Sequence, residues 1–233
     1  MGVRSIAGGS RAPVVKVFTS NATYNATAGA KWCEVEMVGG GGGVVALNAP
    51  SGGVAISAGA ASGSYIKLQC LPSEIDGQPV VVGQNPTGNS GTASSIGGTL
   101  IVAPGGSAPG TVSVSSASLP AGTVVNAAPT NPPSAATFTV GQVISLVSGQ
   151  GASNVIVYLS AANAASGICV GSAGGSTPLG IGGWAANDYP PFARNPANGT
   201  GYGSGCGSSV CSNNASTQAR SGQPGVVIIR EYF

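Results

Sequence analysis

The sequence predicts a mainly β protein, with short antiparallel strands in a sheet or sandwich, long and partly polyglycine-II-like glycine-rich loops, and very low helix content. Three observations carry this expectation. Forty of the 233 residues are glycine, more than twice the usual share of about 7%. Charged residues make up 6% against about 25% in ordinary domains, yet hydrophobic residues reach 42% and the net charge is only +2, which is too apolar and too neutral for a disordered chain. No segment sustains a capped 3.6-residue apolar period, so helices are not expected. The glycines also lack a G-X-Y repeat, which excludes a collagen-like chain.

Residues 1–13 read as an irregular N-terminal arm, and 14–233 as a single glycine-rich β domain. The first strand is expected at 14–19, with Val15, Val17 and Thr19 on one face and Val14, Lys16 and Phe18 on the other. The second, Trp32–Val38, alternates Glu34 and Glu36 with Cys33, Val35 and Met37, the pattern of a sheet with one wet face. A pentaglycine at 39–43 ends it. Further β-rich runs lie at 64–70, 79–82, 99–102, 111–115, 136–147 and 154–159. Turn clusters at 84–91, 104–110 and 129–133 separate them. Residues 167–225 form a glycine-rich loop region, and Val226–Tyr232 closes the chain as a strand. Strand-like ends around a glycine-rich middle imply that the termini pair in one sheet.

Glycine loses more backbone entropy on folding than any other residue, so 40 of them must bring a compensating gain. Tight turns with positive φ and close stacking of backbones are the expected gains. For 199–222 the competing reading is a flexible loop.

Composition excludes several chemistries. Without histidine no Ser–His–Asp triad can form. The carboxylates available for glycosidase-type catalysis are Glu34, Glu36, Glu74, Asp76, Asp188 and Glu231. Of these, Glu34 and Glu36 fit a solvated sheet face, and Glu74 with Asp76 a turn. The pentaglycine runs into Val44 and Val45 rather than Lys and Ser/Thr, so it is no phosphate loop. Gly201, Gly203 and Gly205 lack both the spacing and the βαβ context of a dinucleotide fingerprint. No enzyme activity and no cofactor are expected.

Five cysteines, Cys33, Cys70, Cys169, Cys206 and Cys211, show no CxxC spacing, which disfavours a metal site, and their odd number excludes complete internal pairing. Cys33 and Cys70 fit small buried apolar positions. Cys206 and Cys211 are close enough in sequence to bridge, and spacing alone leaves that open. Eight basic residues scattered from Arg4 to Arg230 make no nucleic-acid patch. No apolar run is long enough to insert into a membrane, and residues 1–15 lack a secretory h-region. Gly2 does not fit myristoylation, because Ile6 stands where Ser or Thr is needed.

Binding chemistry concentrates in one place. Trp184, Tyr189, Phe192 and Tyr202 are four of the twelve aromatics, and they sit beside Asp188 and Arg194 in the glycine-rich stretch. Aromatics and arginine bring large contact area at low rotamer cost and dominate binding hot spots. Trp184 could equally fill a small local core. Pro190 and Pro191 keep Tyr189 and Phe192 out of a sheet interior, which favours their exposure.

Several stretches carry a family resemblance. The run from Val17-Phe18-Thr19 through Ala28-Gly29-Ala30-Lys31 to Val35-Glu36-Met37-Val38 and the pentaglycine resembles the start of the glycine-rich domain at the tips of bacteriophage tail fibres. Gly63-Ser64-Tyr65 follows in the same layout. So do Ser94-Ser95-Ile96-Gly97-Gly98-Thr99-Leu100 and Ala103-Pro104-Gly105-Gly106. Near the end, Ser176-Thr177-Pro178-Leu179-Gly180 and Gly199-Thr200-Gly201-Tyr202-Gly203 precede Gly222-Gln223-Pro224-Gly225-Val226-Val227-Ile228-Ile229, which resembles the family's closing strand. The resemblance covers about 14–106 and 167–233, and 107–165 departs from it as a divergent β-rich insertion.

The resemblance implies a virion protein at a tail fibre or tail tip. It implies recognition of a host surface receptor, an outer-membrane protein or a surface glycan, through loops at the fibre's end. It also implies contacts with other virion tail proteins, through which residues 1–13 would dock, and a homotrimeric assembly. The alternative is a purely structural tail, baseplate or capsid component. A depolymerising spike is a third reading, weakened by the missing acid–base inventory.

Overall fold

A computed structural model describes residues 11–114, 119–160, 167–187 and 193–233. The first strands are β1 (Val14–Phe18), β2 (Ala22–Thr23), β3 (Trp32–Val38), β4 (Val54–Ser57) and β5 (Tyr65–Cys70). A single-turn helix, α1 (Pro72–Ile75), precedes β6 (Pro79–Val81), β7 (Ser94–Ile96), β8 (Ile101–Ala103), β9 (Thr111–Val114) and β10 (Val124–Ala127). The chain continues through β11 (Thr137–Phe138), β12 (Gln142–Val147), β13 (Val155–Leu159), β14 (Gly167–Val170) and β15 (Gly180–Ile181). It ends with β16 (Ala193–Arg194), β17 (Thr200–Gly201), β18 (Ser209–Ser212) and β19 (Val226–Tyr232). The protein is mainly β, with several small antiparallel sheets and almost no helix.

The termini do share a sheet. Its order is β1-β19-β3-β5-β12, with Val17 opposite Ile228 and Ile228 opposite Glu36. One face packs on the sheet β11-β8-β7-β6-β2. Val35, Met37, Ile66, Leu68, Val227 and Ile229 meet Val80, Ile96 and Ile101 there, all essentially inaccessible. Burying each such side chain contributes about 1.5–3 kcal/mol, and this sandwich is the principal core.

A second sandwich joins the sheet β16-β18-β4-β9 to β10-β13-β14 through Val54, Ile56, Val125, Val155, Val157, Leu159 and Val210. Residues 107–165 supply β10 and β13 of the three-stranded sheet and β9 of the other, so this second core is built jointly by that segment and by β4, β14 and β18.

Between the sandwiches the backbone forms a polyglycine-II-type bundle. The amides of Gly39 and Gly42 donate to Ser64 and Ala61, those of Gly40 and Gly43 to Thr92 and Asn89, and those of Gly41 and Val44 to Gln223 and Arg220. Every third residue therefore addresses the same neighbour, which is the three-residue turn of a polyproline-II helix. The partner's number falls by three at each repeat, so all three neighbours run antiparallel to this rod. Residues 60–64 repeat the pattern, donating in turn to Cys206, Ser107, Gln150, Gly203 and Pro104. A polyproline-II helix has no internal hydrogen bonds, so these contacts between rods are what satisfy its buried amides.

Such rods pack only if side chains are missing. A Cβ at Gly41 would fall inside the Ser204 carbonyl oxygen, and one at Gly42 inside that of Ser107. The pentaglycine therefore does more than end β3, because it threads the centre of the molecule. The same geometry excludes the flexible reading of 199–222. Residues 203–212 are buried, held by amides that donate to Pro224, Gly175 and Gly42.

Two other expectations change. The run at 136–147 is two strands in different sheets, split by a turn at Gly141 (φ +75°). The face of β3 carrying Glu34 and Glu36 is not freely solvated. Arg230 Nη1 contacts Glu34 at 2.9 Å and Glu36 at 2.8 Å, Lys67 Nζ lies 3.1 Å from Glu34, and Glu36 is buried. Leu179 and Tyr202 cover this face beside Val38, Tyr65 and Val226. Of the N-terminal arm, residues 1–10 lie outside the described residues, as does Ser115 at the end of the run expected at 111–115, while Arg11 stacks over the Phe233 ring at 4.0 Å.

Candidate functional site

The predicted binding stretch rises from the bundle. Its stem is the β15–β17 pair, Gly180 opposite Gly201 and Ile181 opposite Thr200. Leu179 and Tyr202 flank the stem and pack onto the main sheet. Thr177 Oγ1 donates to the Tyr202 carbonyl at 2.7 Å, fixing the turn. Tyr202 is thus half-buried, an anchor as well as a member of the candidate set.

Both flanks of the central loop are tied to one rod. On the entering side, Gly183 N donates to Gly205 O and Ala186 N to Ser208 Oγ. On the leaving side, Gly207 N donates to Ala197 O, and Arg194 pairs in register with Val210 on β18. Asn195 Oδ1 accepts the Gln218 amide at 2.7 Å, which steadies that flank further. Trp184 stands on the entering flank with 81% of its surface exposed, which removes the reading of it as a local core residue. Arg194 is exposed on the leaving flank. Asp188, Tyr189 and Phe192, with Pro190 and Pro191, lie outside the described residues. The structure therefore brings Trp184 and Arg194 onto neighbouring segments of one base, while Tyr202 serves the stem.

Two further features escaped the sequence reading. On β10-β13-β14 the outward positions are Asn126 and five apolar residues, Val124, Ile156, Tyr158, Ile168 and Val170, each of the five between 43% and 59% exposed. Register places Tyr158 between Val124 and Ile168, and Ile156 between Asn126 and Val170, so the five apolar residues are contiguous and Asn126 is the polar member of the face. The available signal was the absence of any polar face in 155–159, where inward and outward residues are both apolar.

The second is a cleft of about 400 Å³ near the end of β5, lined by Trp32, Gln69, Cys70, Leu71, Glu74 and Gln142. Trp32 stacks on Tyr232 at its edge, with ring centroids 3.8 Å apart.

Among the described residues no group of three or more His, Cys, Asp or Glu is placed to hold a metal, and no helix is long and apolar enough to cross a membrane. All five cysteines are buried and unbridged. Cys206 donates to the Ser221 carbonyl, and burial pushes its thiol up to about 11. Cys211 sits in a different apolar cluster, and its thiol is also raised by burial. Cys206 and Cys211 are therefore separate rather than bridged.

Buried rods of glycine between small β-sandwiches, with loops tied to them, define a glycine-rich β protein. The chain matches the model of the glycine-rich domain family over residues 17–232 and belongs to that family. No curated protein matches it.

Proposed function

We propose that the protein is a bacteriophage tail-fibre or tail-tip protein that binds a host surface receptor, an outer-membrane protein or a surface glycan, during adsorption. The observation that carries this reading is the loop around 184–194. A largely exposed Trp184 and an exposed Arg194 flank it, and both of its ends are hydrogen-bonded to the same buried glycine rod. A pre-ordered base lowers the entropy lost when a loop binds, which is how rigid scaffolds gain affinity from few contacts. The motifs shared with phage fibre tips, in their order along the chain, support the same reading. Its setting is the virion, its other partners are tail proteins, and a homotrimer is the assembly implied. No cofactor enters this reading.

A purely structural virion role is favoured by one observation, the five contiguous apolar residues on the outward face of β10-β13-β14. Exposed patches of this kind mark surfaces that are covered in an assembly.

The experiment is competition for adsorption. Purified protein added to susceptible bacteria should slow phage adsorption in a saturable way and leave adsorption through an unrelated receptor unchanged. Failure to compete, by a folded sample at saturating concentration, would favour the structural role.

A further inference from the structure

Cys33 on β3 and Cys70 on β5 are opposite each other in the antiparallel register. Opposed residues in such a ladder have Cα atoms about 4.5 or 5.5 Å apart, depending on the pair type, and both values lie within the range a disulfide spans. Their sulfurs are 3.3 Å apart. Closing that gap to the bonded distance of about 2.0 Å requires the two sulfurs to approach by little more than 1 Å. The other three thiols sit in three other clusters, around Ala186, Val44 and Leu47.

Access is one-sided. Cys33 is fully buried and Cys70 is 5% exposed, and Cys70 lines the cleft beside Trp32, Gln69, Leu71, Glu74 and Gln142. The two thiols are hydrogen-bonded to each other. That bond lowers Cys33 and raises Cys70, and burial raises both, so the first thiolate of the pair forms on Cys33 while Cys70 keeps its proton.

We propose that Cys33 and Cys70 are a dithiol that closes to a cross-strand disulfide by exchange with a low-molecular-weight disulfide entering this cleft. The Cys33 thiolate takes the Cys70 proton across the 3.3 Å contact as the Cys70 sulfur attacks one sulfur of RS–SR, forming the mixed disulfide and expelling RS⁻, which then takes that proton from Cys33. The Cys33 thiolate then attacks the Cys70 sulfur, forming the Cys33–Cys70 bond and expelling the second RS⁻. The two protein protons end on the two RSH molecules, so two thiols are oxidised and one RS–SR is reduced. The bond closes the stretch 33–70, which contains the pentaglycine rod, β4 and the second rod. The inference is independent of the proposed function.

The test is a thiol count and peptide map of the full chain, reduced and then exposed to oxidised glutathione. Titratable thiols in denaturant should fall from five to three, with the peptides carrying Cys33 and Cys70 linked and released again by reductant. In Cys33→Ser a glutathione adduct should persist on Cys70, for want of a resolving thiol. Five thiols remaining in the wild type would overturn the proposal. So would thiol loss with the Cys33 and Cys70 peptides unlinked, or a wild-type Cys70 adduct that never resolves.

Discussion

The Tyr24 hydroxyl donates a 2.7 Å hydrogen bond to Oε1 of Glu231, 207 residues away, in the interior of the main sandwich. The same oxygen accepts from Lys16 Nζ at 2.9 Å and from the Thr27 amide at 3.0 Å, while Oε2 is buried without a partner. Burial works against the charge. The hydrogen bonds from Thr27, Tyr24 and Lys16 outweigh it and hold the carboxyl at about 2. One carboxylate thus joins β1, the 24–27 turn and β19.

That arrangement makes stability acid-sensitive. The folded value lies below the roughly 4.3 of an unfolded glutamate, so the stabilisation is fully present above pH ~4.3 and is lost as pH falls towards 2. The contribution is about 3 kcal/mol. Melting temperatures from pH 7 to 2 should fall through this window for the wild type. Glu231→Gln should melt lower at pH 7, because Lys16 loses its partner, and should lose the slope. An unchanged slope in Glu231→Gln would assign the acid sensitivity to other carboxylates.

The glycine bundle predicts a sharp contrast between substitutions of the same kind. Gly41→Ala puts a methyl group into the Ser204 backbone, which no rotamer can relieve, and should cost more than about 3 kcal/mol or prevent folding. Gly110→Ala meets nothing within 4 Å and should lie within about 0.5 kcal/mol of the wild type, or slightly above it. Chemical denaturation of the two variants measures the difference.

The oxidised protein should be the more stable form. A cross-link between residues 37 apart removes chain entropy worth about 4 kcal/mol from the unfolded state. Calorimetry of the reduced and the glutathione-oxidised chain should show a rise of several degrees, absent in Cys70→Ser.

Trp184 and Tyr202 should separate binding from folding. Trp184, largely exposed, can be changed to Ala at a cost within about 0.5 kcal/mol. Tyr202→Ala removes packing against Val38, Tyr65 and Val226 and should cost roughly 2–4 kcal/mol. Thermal melts of the two variants, beside their cell binding, distinguish a contact residue from a stem residue.

Much of the fold was legible because two signals were strong. Alternation at Cys33, Val35 and Met37 marked β3 to the residue, and the apolar run from Val226 marked β19. The polyglycine-II character was legible from composition, but the central role of residues 39–43 was not. Which rods a glycine segment touches depends on contacts some 20 to 180 residues away, and glycine carries no side-chain pattern that encodes a partner. The strands β4 and β18 were hidden for a related reason. Val54–Ser57 and Ser209–Ser212 are fully buried, so neither shows an alternating face. The ion pairs of Arg230 with Glu34 and Glu36 needed the register of β19 on β3, which no local pattern supplies. At the candidate site the sequence singled out Trp184, Tyr189, Phe192 and Tyr202, but not that Tyr202 anchors the stem while Trp184 stands in solvent.

The most direct measurement is binding of fluorescently labelled protein to intact susceptible and resistant bacteria, comparing wild type with a Tyr189→Ala/Phe192→Ala double variant of unchanged melting temperature. Saturable binding to susceptible cells only, reduced at least tenfold in the variant, is the expected result. Equal binding of variant and wild type would contradict the assignment of recognition to this loop, and no binding of the wild type to either cell type would contradict receptor recognition itself.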